Sequence, residues 1–237
     1  MKITCHMIMS VDGRLLPKYW SPLYNASSSV TEVYEAADAK LSADGWIVGR
    51  KTMAEYGADV VEEKEPMEGH KTMQTNTFIG KREGRPLAVV FDIQGRLHYK
   101  SPTLPSGEHI VAVLGSHVTR AYQKELEEIG VSYIMRTPGS KLEETQSALK
   151  HLEHDFNVKH MLLEGGAITC GNFLQMGLVD ELSMIVYPGL DGESDHPSVI
   201  ECQGVVEPLK KNRLELIDCE TIGSGYVWLR YNIPVSY

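Results

Sequence analysis

The chain has 237 residues, 42% of them hydrophobic, and a formal net charge of −9 at pH 7. That length suits one large domain or two small ones with a sizeable core, and the acidic balance argues against nucleic acid or an anionic membrane as partner. No run reaches the roughly 18 apolar residues of a membrane span, and the four cysteines and nine histidines show neither CxxC nor HExxH spacing, so no zinc site or disulfide framework is indicated.

In chain order, Met1 to Met9 reads as a strand with no leader peptide before it, and a reducing cytoplasm is the expected home. Ser10-Val11-Asp12-Gly13 breaks that strand. Residues 14 to 29 are loop-like, with Pro17, Pro22 and the serines Ser27, Ser28 and Ser29. Ser29 and Glu32 fit a capping box, and Val30, Val33, Tyr34, Ala37 and Leu41 supply the apolar face of the helix that follows. Gly45 to Val48 is a strand, and Gly49-Arg50-Lys51-Thr52 opens a brief helix. Residues 57 to 84 are charged and weakly periodic, which predicts an irregular surface excursion and not a second domain.

Strands resume at Pro86 to Phe91 and His109 to Leu114. A helix over Val118 to Ile129 stops at Gly130, a natural C′ residue. Val131 to Met135 is a strand and Leu142 to His154 a helix. Met161 to Leu163 is an apolar strand that ends in Glu164-Gly165-Gly166. A helix, the polar turn Asp180-Glu181 and a strand from Leu182 to Tyr187 follow. The tail gives two strands, Arg213 to Glu220 and Tyr226 to Ile233, joined by Thr221-Ile222-Gly223-Ser224-Gly225, a hairpin signal. Alternating strands and helices predict a single α/β domain over 1–237, its sheet mainly parallel with an antiparallel C-terminal hairpin.

In such sheets ligands sit beyond the carboxyl ends of the strands, and three strand ends carry distinctive chemistry. Gly165-Gly166 at the start of a helix lets backbone N–H groups approach an anion, with the positive end of the helix dipole behind them. Gly49-Arg50-Lys51-Thr52 pairs a second such turn with two cations, suited to a diphosphate and to an added monophosphate. Asp12-Gly13 is either a plain turn or a device that sets Asp12 or Ser10 near a ligand. No GxGxxG follows the first strand, so this is not a Rossmann nucleotide site.

These motifs carry a family resemblance. MSVDGRLL resembles the "SxDGxxA" first-strand motif of the reductase domain of riboflavin biosynthesis, the C-terminal domain of the bifunctional deaminase-reductase. DGWIVGRKTM resembles that family's second strand and the "GRxT" turn of dihydrofolate reductase. LLEGGAITCGNFLQMGLVDELSMIVYPGLDG resembles the family's longest motif. The resemblance implies a dihydrofolate-reductase-like three-layer α/β/α fold with a mixed, mainly parallel central sheet. It also implies NADPH as cofactor, and hydride transfer to a small heterocyclic or ribosyl substrate such as 5-amino-6-(5-phosphoribosylamino)uracil. Residue by residue, Gly49, Arg50, Thr52, Asp92, Gly165, Gly166, Ala167 and Ile168 match cofactor contacts. Ser10, Ser27, Ser29 and Glu164 fall at the substrate side, and Asp12 or Glu164 could supply a proton, directly or through water. Glu164 could equally cap the glycine turn.

The departures are specific. Tyr56 stands where the family's "TVxxDxP" run has aspartate, Ile93 replaces a hydroxyl residue after Asp92, and the first helix has Lys40 as its only cation. No HxE…PCxxC zinc signature is present, so the reading is of the reductase unit alone. A dihydropterin-type reductase and a non-catalytic NADPH-binding module are the competing expectations. The apolar, aromatic last strand, with Tyr226, Val227, Trp228, Leu229 and Tyr231, predicts a homodimer paired through it if it lies at an edge. If it lies inside the sheet, the same residues pack as core.

Overall fold

The computed structural model describes residues 1–23, 28–69, 77–204, 209 and 213–234. The elements run β1 (Lys2–Ser10), a 3-10 turn (Pro17–Tyr19), α1 (Val30–Leu41), β2 (Gly45–Gly49), α2 (Arg50–Tyr56) and β3 (Val61–Glu63). Then come β4 (Leu87–Phe91), β5 (Leu97–Tyr99), β6 (His109–Leu114), α3 (Arg120–Ile129), β7 (Ser132–Met135) and α4 (Lys141–Asp155). The chain closes with β8 (His160–Leu163), α5 (Ala167–Gln175), β9 (Glu181–Tyr187), β10 (Glu215–Thr221) and β11 (Val227–Asn232). Among the described residues no helix is long and apolar enough to cross a membrane.

Two compact units share these elements. One comprises Met1 and Asp44–Lys159, the other Lys2–Ala43 and His160–Tyr237. In the Asp44–Lys159 unit, β2, β4, β6 and β7 pair in parallel in that order. Leu87–Val90 of β4 and Ile110–Leu114 of β6 are apolar and buried throughout, as parallel strands covered on both faces require. The core gathers Val90, Ile110, Leu114, Tyr122 and Leu126 around Met53 and Leu97. α3 is capped by Thr119, whose hydroxyl accepts from Tyr122 N, and stops at Gly130 with φ 90°, a left-handed conformation that glycine adopts without steric cost. The stretch read as an irregular excursion holds β3, which pairs antiparallel with β5. Phe78 forms a further bridge to Tyr133. Strands of three residues show no periodicity, so neither β3 nor β5 is visible in the sequence.

In the other unit the order is β10-β11-β9-β1-β8. β9, β1 and β8 run parallel, and β11 is antiparallel to both β9 and β10. The Ser29/Glu32 capping box is formed, and Val33, Ala37 and Leu41 turn inward. Glu181 on β9 accepts from Lys2 Nζ and Arg230 Nε, both at 2.7 Å, and so ties β1, β9 and β11 together. The last strand is not at the edge. β11 lies between β9 and β10, and Trp228 is buried with its indole N–H on Ser183 Oγ at 2.8 Å. The edge is β10, whose residues are exposed on both faces.

Candidate active site

β1, β8 and β9 are parallel neighbours, so their carboxyl ends share one edge of the sheet. Those ends are stepped. β8 stops at Leu163, opposite Cys5, whereas β1 continues five residues further to Ser10, opposite Tyr187 of β9. At about 3.3 Å per residue the step is roughly 16 Å deep. Glu164, Gly165 and Gly166 turn at its floor, beside the uncovered length of β1. Gly165 has φ 110°, and a Cβ there would meet the Met7 side chain at 3.4 Å. The positive φ is what favours glycine at this position, since a Cβ would make only an ordinary contact with Met7. The Gly165–Gly166 peptide bond is cis.

Gly166 is the N-cap of α5 and provides no side-chain cap, and the first turn has no acidic residue. The first helical bond is Cys170 N to Gly166 O, 3.1 Å. The N–H groups of Ala167, Ile168 and Thr169, which precede it, are the donors a helix start offers to an anion. Ala167 is buried and Ile168 is exposed. This donor set fits a diphosphate.

Beneath the turn, Tyr34 from α1 stacks on the His6 ring with centroids 4.4 Å apart and donates to the His6 carbonyl at 2.9 Å. Its hydroxyl also makes a hydrogen-bonding contact with Glu164. Burial first, and then the Glu164 charge, push the Tyr34 phenol well above its ordinary value. Cys5 and Cys170, both buried free thiols, touch one another beside this group. Glu164 is half-buried and held from below by Tyr34.

Ser10 and Asp12 bond to one another. Ser10 is wholly buried, and its Oγ donates to Asp12 Oδ1 at 2.6 Å and accepts from Arg14 N at 2.9 Å. Asp12 also accepts from Asp191 N at 3.1 Å and Gly192 N at 2.8 Å. The Ser10 hydrogen bond, followed by those from Gly192 and Asp191, holds the Asp12 carboxyl down at about 2. A carboxylate held that low is ionised at neutral pH. Asp12 clamps the loop after β1 to the loop after β9. Ser10 is thus engaged by Asp12 and Arg14, and Asp12 by the loop after β9.

Ser29 is exposed and spends its side chain on the capping box. Ser27 lies outside the described residues.

The turn after β2 belongs to the other unit. Gly49 is the N-cap of α2, and Thr52 is its third residue, half-buried. Arg50 is ion-paired with Glu63, which Arg96 also approaches at 3.5 Å. Lys51 is exposed and has no ion pair among the described residues. Asp92 is fully buried, and its Oδ2 accepts from Arg96 N and Leu97 N at 2.7 and 2.8 Å. Burial pushes its carboxyl up, against those two bonds. Asp92 therefore builds the 92–97 turn.

A family model described as the RibD C-terminal domain matches residues 1–228. The chain belongs to that family. A 2,5-diamino-6-ribosylamino-4(3H)-pyrimidinone 5′-phosphate reductase of Archaeoglobus fulgidus is 26% identical over 152 residues, 64% of this chain and 65% of that protein. The chain thus spans just under two thirds of that curated relative's length. Among solved structures, a pyrimidine reductase-like protein of Corynebacterium diphtheriae superposes with a TM-score of 0.66 at 18% identity, covering 99% of this chain and 92% of that one. Acinetobacter baumannii RibD superposes with a TM-score of 0.64 at 20% identity, covering 98% of this chain and 58% of that one. Both share the α/β fold with its mixed, mostly parallel strands and antiparallel pair. The RibD-type glycine turn was legible in the sequence. Tyr34 was read only as part of an apolar helix face, and its hydroxyl contact left no pattern.

Proposed function

We propose that this RibD-family chain is an NADPH-dependent reductase acting on a ribosylaminopyrimidine 5′-phosphate of riboflavin biosynthesis. The observation that carries the reading is the stepped floor between β1 and α5. There an uncapped helix start and a glycine pair lie at the carboxyl ends of parallel strands. The family match makes a nicotinamide dinucleotide the fitting anion. When bound, NADPH supplies a hydride. In this reading the α5 N–H groups bind the diphosphate, and the Asp12 clamp fixes the loop that covers the substrate. Glu164, held by Tyr34, lines the substrate end.

The turn after β2 is argued on its own chemistry. Thr52 supplies a hydroxyl, and Lys51 supplies a cation with no ion pair among the described residues, a combination suited to a phosphate. Four free cysteines suit a reducing cytoplasm. The edge strand β10 exposes Leu216 and Ile217 at 59% and 51%, and we assign the homodimer contact to it.

The test is turnover. The protein with NADPH is offered 2,5-diamino-6-ribosylamino-4(3H)-pyrimidinone 5′-phosphate, 5-amino-6-(5-phosphoribosylamino)uracil or dihydrofolate, and loss of absorbance at the nicotinamide band is followed. Oxidation with either ribosyl substrate is expected. Oxidation with dihydrofolate alone would overturn the substrate class, and oxidation with none would leave a binding module.

A further inference from the structure

We propose that Tyr34 is a positioning residue of the reduction: its hydroxyl sets the Glu164 carboxylate against the substrate, and so governs substrate capture without touching the seat of the cofactor diphosphate. The inference rests on the reductase reading and adds to it a residue of the first helix that no motif assigns.

Tyr34 shares a face of α1 with Ala37 and Leu41, both buried. The helix is fixed at its start by the Ser29/Glu32 capping box. The phenol ring then lies against a rigid backing. It stacks on His6 with centroids 4.4 Å apart. The His6 ring is bonded through Nδ1 to Ser183 Oγ at 2.8 Å, and the same oxygen accepts from the Trp228 indole N–H at 2.8 Å. Burial pushes the His6 imidazole down to about 4, so at neutral pH the stack brings no charge to the phenol. β1, β9 and β11 thus each give a side chain to the support of one ring. All of these residues, and Glu164 with them, lie in the same compact unit.

The hydroxyl at the tip of this stack faces two acceptors. It donates to the His6 carbonyl at 2.9 Å and meets the Glu164 carboxylate in hydrogen-bonding contact. A phenol has one proton, so both acceptors compete for it and the oxygen is held between them. Cys5 and Cys170, both fully buried, stand beside the phenol. On that side no water competes, and a hydrogen bond shielded from water is the stronger for it. Glu164 follows the last residue of β8 and precedes the glycine pair. Its backbone is fixed by the strand and the turn, and Tyr34 fixes its head.

The consequence for binding follows from the carboxylate. Ionised, it takes hydrogen bonds and gives none, so the ligand group it meets is an N–H or O–H, and a ribosylaminopyrimidine bears several of each. An untethered glutamate side chain must be ordered when the ligand arrives, at a cost in affinity. With the Tyr34 bond that order is already present in the free protein. The donors assigned to the diphosphate are backbone N–H groups at the start of α5, so removing the phenol oxygen alters none of them.

The experiment compares wild type, Tyr34→Phe, Glu164→Ala and the double variant, each checked for folding by circular dichroism. Phenylalanine keeps the ring on His6 and removes only the hydroxyl. In the ligand-free proteins the two substitutions should not add. Tyr34→Phe should lower the melting temperature of wild type by a few degrees, and that of Glu164→Ala by clearly less. Equal shifts in both backgrounds would overturn the contact. With ligands, Tyr34→Phe should bind NADPH within about twofold of wild type, while kcat/KM for the ribosylaminopyrimidine phosphate at saturating NADPH falls about tenfold, through KM. In the Glu164→Ala background the same substitution should change kcat/KM by less than about twofold. Wild-type kcat/KM in a folded Tyr34→Phe protein, a parallel loss of NADPH affinity, or losses that multiply in the double variant would each overturn the positioning role while the reductase reading stands. Absence of turnover in wild type would overturn the reading itself, and the role with it.

Discussion

His6 lies wholly buried on β1, bonded through Nδ1 to Ser183 Oγ at 2.8 Å, stacked on Tyr34, and with no partner on Nε2 among the described residues. Burial pushes its imidazole down to about 4, against the hydrogen bonds that favour the charged form. An unfolded histidine titrates near 6.5. Between pH 6.5 and about 4 the unfolded chain therefore binds a proton that the folded chain refuses. Stability is full above pH 6.5 and falls as the pH drops through that window, by roughly 3 kcal/mol in all for His6 alone. Burial drives His109 the same way, also down to about 4. Melting temperature should thus decline steadily from pH 7 to pH 4.5, and His6→Asn should flatten the decline. An unchanged slope in that variant would show that His6 is not the group responsible. Nothing in the sequence foretold this. An isolated histidine in an apolar run carries no sign of whether it meets water, and its hydrogen-bond partner Ser183 lies 177 positions away.

At the scale of elements, what was legible was local. The Ser29/Glu32 box, the Gly130 stop, the Glu164-Gly165-Gly166 turn and the Thr221-to-Gly225 hairpin are each set by residues within a few positions of one another, and all are present. What was not legible depends on partners far along the chain. β3 and β5 exist only as a pair, and the place of β11 in the sheet depends on β9. The aromatic character of β11 fits equally an edge and an interior, and the structure resolves it as interior, with β10 outside. This moves the proposed dimer contact to β10, which has a strand partner on one side only among the described residues. Ile217→Lys should convert a dimeric mass in light scattering to that of one chain. A wild-type protein that is already monomeric at every concentration would remove the dimer, and an unchanged dimer in the variant would remove β10 from its interface. The same division holds for the site. The glycine turn was visible as a motif, whereas the contact of Tyr34 with Glu164 joins residues far apart in the chain and left no pattern.

For the whole molecule, the account depends on the uncapped start of α5 holding a dinucleotide. Gly166 has φ −64° and ψ −173°, an extended conformation open to any residue. Valine at this position should fold and yet place a branched side chain where the diphosphate must touch backbone. Gly165, at φ 110°, would confound the same test with strain. The deciding measurement is an isothermal titration of wild type and Gly166→Val with NADPH and NADH, beside a melting curve for each protein. The prediction is one NADPH bound per wild-type chain, about tenfold tighter than NADH through a charge-assisted contact to the 2′-phosphate, and no measurable binding to a variant that melts as wild type does. NADPH bound equally well by a folded Gly166→Val protein would contradict the account.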